Sequence, residues 1–421
     1  MILMIYLEIK YLEWYNNSGG KMQEVNLKKL NRSINMYPIF YGLSSDLIFF
    51  IAINTLFLTT VKGLSASVIN QIEAISTIIG ILFQFIIIKI VRKIGNLNSV
   101  KLGVTLLFFS ILLNTFSTKY FGFLLAEICY VIGFVFKNMD NVILIKNLKY
   151  LNRSNEYIKF QTKGSFIYSL ITLLISIVSG FLFNINPYVP MGICIFFSFI
   201  NIILANLIYE VPNNDTNVDK KEKLNIKFSK NAILMILLYG VFYAMVSCGQ
   251  KNSKIFIQFD LQNVFSLDKV AIYMGILIFV SRIFRLLSNL LFFKIYNKLK
   301  NKMIFLLEFI LVLSFILLIL GHFAGNIYGI FIMAFGFFSF LFIRDPFDNF
   351  MRKNLLEKNS EHLHDKIINY MNLLRKISTL IYTTMASLIL IKFNYVYVML
   401  LFLIISVSFM ILIIKTNITK N

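Results

Sequence analysis

Charge is scarce in this sequence. Only 14% of its 421 residues are Asp, Glu, Lys or Arg, against about 25% in soluble domains. Apolar residues make up 58%, and the mean hydropathy is +0.76. Single soluble cores stop growing near about 250–300 residues, so no soluble fold hides that much apolar surface. The three cysteines, Cys129, Cys194 and Cys248, each sit inside an apolar run, which argues against a disulfide framework or a thiolate metal site. The three histidines, His322, His362 and His364, read as loop residues. No Walker, H-E-x-x-H or G-x-S-x-G sequence occurs outside the first 21 residues, so neither ATP, a bound metal nor any other cofactor is expected. Acidic residues are also few, 20 against 41 basic, for a formal charge of +21. In a soluble chain that excess points to nucleic acid. Here the basic residues lie in short segments between apolar runs, so the bilayer is their expected partner and nucleic acid is not.

What the sequence does have is length without polarity. Twelve apolar stretches of near-spanning length fall at about 37–60, 65–91, 102–118, 120–145, 165–186, 190–210, 231–250, 270–293, 303–321, 324–343, 376–392 and 394–414. In hydrocarbon each unpaired backbone group costs several kcal/mol, and runs this long and uniform are helices rather than barrel strands. The expected fold is therefore an all-α polytopic membrane protein of twelve transmembrane helices.

Lysine and arginine set the expected orientation. With every span crossing and the N-terminus inside, 33 of the 41 fall in inside segments, six in outside loops and two within a span. One span more or fewer destroys that partition. Both termini are thus expected in the cytoplasm, and the protein in the cell membrane. Residues 1–36 form the N-terminal segment, 37–210 and 231–414 two six-helix bundles, 211–230 a polar linker and 415–421 a tail. The opening MILMIYLEIKYLEWYNNSGGK is broken by Glu8, Lys10 and Glu13. Its Ser18-Gly19-Gly20-Lys21 matches a ribosome-binding sequence read in frame, so residues 1–21 are expected not to be native and Met22 is the expected start.

The two bundles repeat one another. KIVRKIGN (Lys89–Asn96) follows the second span and KIYNKLKN (Lys294–Asn301) the eighth. Gly133-Phe134 with Asp140-Asn141 at the end of span four matches Gly336-Phe337 with either Asp345 or Asp348-Asn349 at the end of span ten, and Lys163-Gly164-Ser165 matches Lys376-Ile377-Ser378. Three matches in one order indicate a six-plus-six duplication.

This architecture resembles the major facilitator superfamily, over about residues 36–415. Of that family's loop signature between spans two and three, only Lys93 and Gly95 agree. The resemblance implies two pseudo-symmetric six-helix bundles around a central site, and a secondary transporter working by alternating access. It implies a small-molecule solute and a coupling ion, proton or sodium. Lys93 and Gly95, with the helix-end charges Asp140, Arg344 and Asp345, are the expected cytoplasmic gate. The alternatives are efflux of hydrophobic or cationic compounds, a membrane-embedded transferase, or a non-transporting scaffold.

A charge at mid-span costs about 2.5–3.5 kcal/mol on insertion scales and needs a partner or water. Arg282 and Arg285, i and i+3 in FVSRIFRLLSNL, share a helix face deep in span eight. A guanidinium fork suits a carboxylate or phosphate, so this pair is the candidate anion site; pairing with membrane acids is the other reading. Asp46, Glu73 and Glu127 are the candidate coupling carboxylates. Asn54, Gln161 and Tyr168 are candidate substrate contacts. Glu308, Lys251 and Lys254 read as interfacial side chains that snorkel.

Overall fold

The computed structural model describes residues 26–153, 156–211, 230–299, 302–357 and 364–415. The proposed start site, most of the linker and the tail lie outside these. Fourteen α-helices are described: α1 (Leu27–Ser44), α2 (Ile48–Leu56), α3 (Ala66–Ile94), α4 (Asn96–Phe116), α5 (Tyr120–Lys137), α6 (Met139–Tyr150), α7 (Tyr157–Ile185), α8 (Tyr188–Leu207), α9 (Lys230–Val264), α10 (Leu267–Leu299), α11 (Met303–Ala324), α12 (Ile327–Glu357), α13 (His364–Lys392) and α14 (Tyr395–Lys415). A π-helical turn, Phe57–Val61, continues α2. No strand occurs among the described residues. They form twelve units long and apolar enough to cross a membrane, α1–α2 and α5–α6 each counting as one. The chain is a multi-pass membrane protein. Below, the face bearing Asn26 and Lys415 is the proximal face, and the opposite one the distal face.

The helices outrun the apolar stretches that mark them. The first begins at Leu27, where Asn26 caps it by accepting from Lys29 N–H at 3.0 Å. The seventh continues through Gln250-Lys251-Asn252-Ser253-Lys254 to Val264. Lys251 and Lys254 are therefore inside a helix, not in a loop. His322 likewise lies within α11, and its Nδ1 stands 2.8 Å from an Asp260 carboxylate oxygen.

Packing follows the repeat. Within the halves, α4 lies against α5 and α11 against α12. Gly133 and Gly336, matched in the sequence, make these approaches close: a Cβ would stand 3.0 Å from Gly103 O at the first and 2.7 Å from Ser314 O at the second. Between the halves, α7 packs on α10 and α3 on α13. These pairs join the fifth span to the eighth and the second to the eleventh, and the duplication exchanges one with the other.

Gly95 turns the chain between α3 and α4 at φ +84°, a left-handed conformation natural to glycine. Glu210 then seats on the start of α4: its carboxylate accepts from Asn96 Nδ2 at 2.7 Å and Leu97 N–H at 3.1 Å, and pairs with Lys146 at 2.7 Å. An acid at a helix N-terminus is favourable. Lys93 is exposed and has no partner among the described residues.

Candidate functional site

The first span is broken at its centre, and the break carries Asp46. Ser44 and Ser45 turn their hydroxyls back to the carbonyls of Phe40 and Tyr41, at 2.7 and 2.5 Å. This competition with the backbone favours a helix end. Asp46 follows, one oxygen accepting from Leu47 N–H at 2.8 Å and from Tyr130 Oη at 2.9 Å. Its other oxygen lies 3.5 Å from Tyr168 Oη. Helix α2 restarts at Ile48, so the carboxylate sits beside the positive end of a half-helix. Such interruptions are stable at membrane depth only when buried in protein or facing a cavity.

A cavity of about 210 Å³ opens beside it, lined by Asp46, Asn54, Thr55, Glu73, Asn114, Glu127 and Tyr130 among others. All three candidate carboxylates thus line one space, although they come from three separate spans. The cation facing them is Lys251, which reaches in from the second half and pairs with Glu73. One turn on, buried Lys254 donates to Asn54 Oδ1 at 2.7 Å and to Ile51 O at 3.1 Å. Asn70 Nδ2 donates to Asn252 Oδ1 at 3.1 Å, Gln258 to Thr59 at 2.7 Å, and Ser67 meets Ser387. All of these cross between the halves toward the distal face and tie that end shut.

The second half is basic where the first is acidic. Arg285 makes a two-pronged pair with Asp345, at 2.6 and 3.1 Å, and Asn289 adds a bond to the same carboxylate. Arg282 sits one turn earlier, 8% exposed. Its Nε is unpartnered and it forms no ion pair among the described residues. It is near enough to Asp46 and Tyr168 to interact electrostatically with both. Arg344 donates to Tyr243 Oη at 3.1 Å, and the Arg375 guanidinium stands 5.0 Å from the same ring. Neither has a carboxylate within ion-pair distance among the described residues.

Several expectations are redrawn by this geometry. Asp140 pairs with Lys137 at 3.0 Å, both buried, at the junction of α5 and α6. Like Asp345, which pairs with Arg285, it is neutralised inside its own half. Gln161 is away from the cavity, bound to Tyr37 Oη at 2.8 Å beside Asn141.

No family model matches the chain, and no curated protein matches it in sequence. Solved structures do. Over 93% of this chain and 99% of its own, nucleoside transporter NupG superposes with a TM-score of 0.67 at 13% identity. A bacterial homologue of the iron transporter ferroportin, in its inward-facing state, gives 0.61 at 14% identity, over 94% of this chain and all of that one. The same kind of protein in its outward-facing state gives 0.55 at 14%, over 91% and 98%. The chain has the major facilitator fold.

In that fold the break at Asp46, the acidic cavity and the arginine face all lie where the two bundles meet. Lys251 and Lys254 are the site residues that sequence reasoning missed. The available signal was their spacing: i and i+3 put both on one face of a helix, and its apolar pattern resumes at Ile255-Phe256-Ile257.

Proposed function

We propose that the protein is a secondary transporter that moves a small anionic solute by alternating access, coupled to a cation gradient through the acidic cavity that Asp46 lines with Glu73 and Glu127. The carrying observation is the imbalance on the second half. Arg285 has its own acid, whereas Arg282, Arg344 and Arg375 have none in ion-pair range among the described residues. Buried cations without acids are expensive, and a planar guanidinium matches a carboxylate or phosphate in two-pronged fashion. Tyr168 links the sides, its hydroxyl toward Asp46 and within electrostatic range of Arg282, Arg285 and Arg344.

The distribution of lysine and arginine makes the proximal face cytoplasmic. The bonds tying the distal end then describe an inward-open state, in keeping with the better superposition on the inward-facing ferroportin homologue. The test is uptake in proteoliposomes under an imposed cation gradient, screened over carboxylates and phosphate monoesters. Arg282→Ala is expected to abolish transport while the protein still purifies as a monodisperse, helical species. Undiminished transport refutes the anion site. The acidic cavity favours a second reading, export of cationic compounds; there Asp46→Asn abolishes transport and Arg282→Ala spares it.

A further inference from the structure

The acidic cavity has an occupant supplied by the other half of the molecule. Asp46 at the break, Glu73 on α3 and Glu127 on α5 line it with Tyr130, and Lys251 on α9 is the one cation among its lining residues. Lys254, the neighbouring cation on α9, is committed to Asn54 and Ile51. Tyr168 on α7 and Arg282 on α10 approach only the Asp46 end. Glu73 is therefore paired with a side chain that must leave when the distal end opens, because Lys251 and the three acids belong to bundles that separate there. Stranding three carboxylates without it in a low-dielectric space is unfavourable.

We propose that the cavity is a proton site, and that Lys251 is the built-in cation that fills it while the distal end is closed. On opening, Lys251 Nζ withdraws and a Glu73 carboxylate oxygen takes up one proton from the distal solution. On closing, Lys251 returns as the ammonium, the O–H bond at Glu73 breaks, and the proton leaves to water on the proximal side, which is then the open one. No electrons move, and the charge on each side of the exchange is equal. A proton suits the site better than a metal ion, since no three His, Cys, Asp or Glu side chains among the described residues are grouped as metal ligands. The inference rests on the alternating-access reading but not on its anionic solute.

The test needs no solute. In a background with Cys129, Cys194 and Cys248 replaced by Ala, nitroxides at Thr118→Cys and Asn394→Cys report the separation of the halves at the distal face in lipid nanodiscs. Acidification from about pH 8 to about pH 5 is expected to add a second, longer-distance population, since loss of an opposite charge favours the neutral carboxyl. Glu73→Gln is expected to show that population at every pH, and Glu73→Asp to restore the pH response. A parent protein whose distances ignore pH overturns the proposal, as does a Glu73→Gln variant with the parent's profile. Sodium at alkaline pH is expected to leave the distances unchanged; reproduction of the acid effect by sodium overturns the proton assignment. An unchanged distance distribution speaks only against the proton site, while failure of anion uptake with an intact pH response speaks only against the anion site.

Discussion

Arg282 and Arg285 are one helical turn apart on α10 and electrically unlike. Asp345 grips Arg285 with both oxygens, at 2.6 and 3.1 Å, while Arg282, 8% exposed, faces no acid in ion-pair range among the described residues. Removing Arg282 and removing the acid that holds Arg285 therefore have opposite consequences for stability. Arg282→Ala deletes an uncompensated buried charge and is expected to hold or raise the melting temperature in detergent while abolishing anion uptake. Asp345→Ala leaves Arg285 alone. The pair keeps about a quarter of its surface exposed, 24% and 22%, so the loss is about 1–3 kcal/mol rather than the ~3–5 of a fully buried pair. Thermal unfolding of the two variants side by side checks the sign.

On the proposed reading, Asp46 serves coupling rather than solute binding. Its carboxylate holds the broken span to α5 through Tyr130, yet the arginine face belongs to the other half. Asp46→Asn keeps the shape and removes the charge. It is expected to abolish gradient-driven accumulation while solute exchange across the membrane continues, measured as counterflow in proteoliposomes. Tyr130→Phe leaves the acid one donor short, a loss of about 1–3 kcal/mol for a buried acceptor, and is expected to lower the melting temperature without abolishing counterflow. Loss of both activities in Asp46→Asn would make the residue part of the solute site instead.

The spans were legible, and so were Asp46, Glu73 and Glu127 as isolated charges within them, because apolar length and isolated charge are local properties. The partners were not. Lys251 reads as the end of a span because five polar residues follow Gly249, and its acid lies 178 positions away; the amide that holds Lys254 is 200 away. Helix α9 continues through the polar stretch because the first half supplies partners for it, which periodicity within α9 does not reveal. His322 reads as a loop residue for the same reason, its acid being Asp260 on another helix. Gln161 fails the other way: a polar residue near a span end found Tyr37 rather than the cavity.

The contact between the fifth and eighth spans depends on two glycines, one from each half. A Cβ on Gly180 would stand 2.7 Å from Ala271 O, and one on Gly275 would stand 2.7 Å from Ser176 O. Both obstacles are backbone, which cannot rotate aside. Gly275→Leu is expected to wedge the halves apart at the distal end, at about 1–3 kcal/mol for overpacking. A disulfide between Ser67→Cys and Ser387→Cys, whose hydroxyls are 3.3 Å apart, is expected to form readily in a Cys129, Cys194 and Cys248 replacement background and at least several-fold more slowly once Gly275→Leu is added. An equal cross-linking rate would show that the interface absorbs the added side chain.

Glu308 contradicts the expectation that it snorkels. It lies six positions into α11 from Lys302, close enough to the proximal end for a flexible acid to reach water, but it is 0% exposed and neither carboxylate oxygen has a hydrogen-bond partner among the described residues. The helix face it occupies also buries Ile304, Leu307, Leu311 and Val312 against the rest of the second half, so the backbone geometry turns it inward. A buried polar group without a bond costs roughly 1–3 kcal/mol by mutational measures. Met at this position fills a similar volume with no polar atom. Glu308→Met is expected to raise the melting temperature of the purified protein, whereas Glu308→Ala, which adds a cavity to the removal of the charge, is expected to gain less or nothing. A fall in stability with Glu308→Met would mean that the carboxylate is satisfied by a water held inside the bundle, and proton-exchange measurements at that position would then be the next experiment.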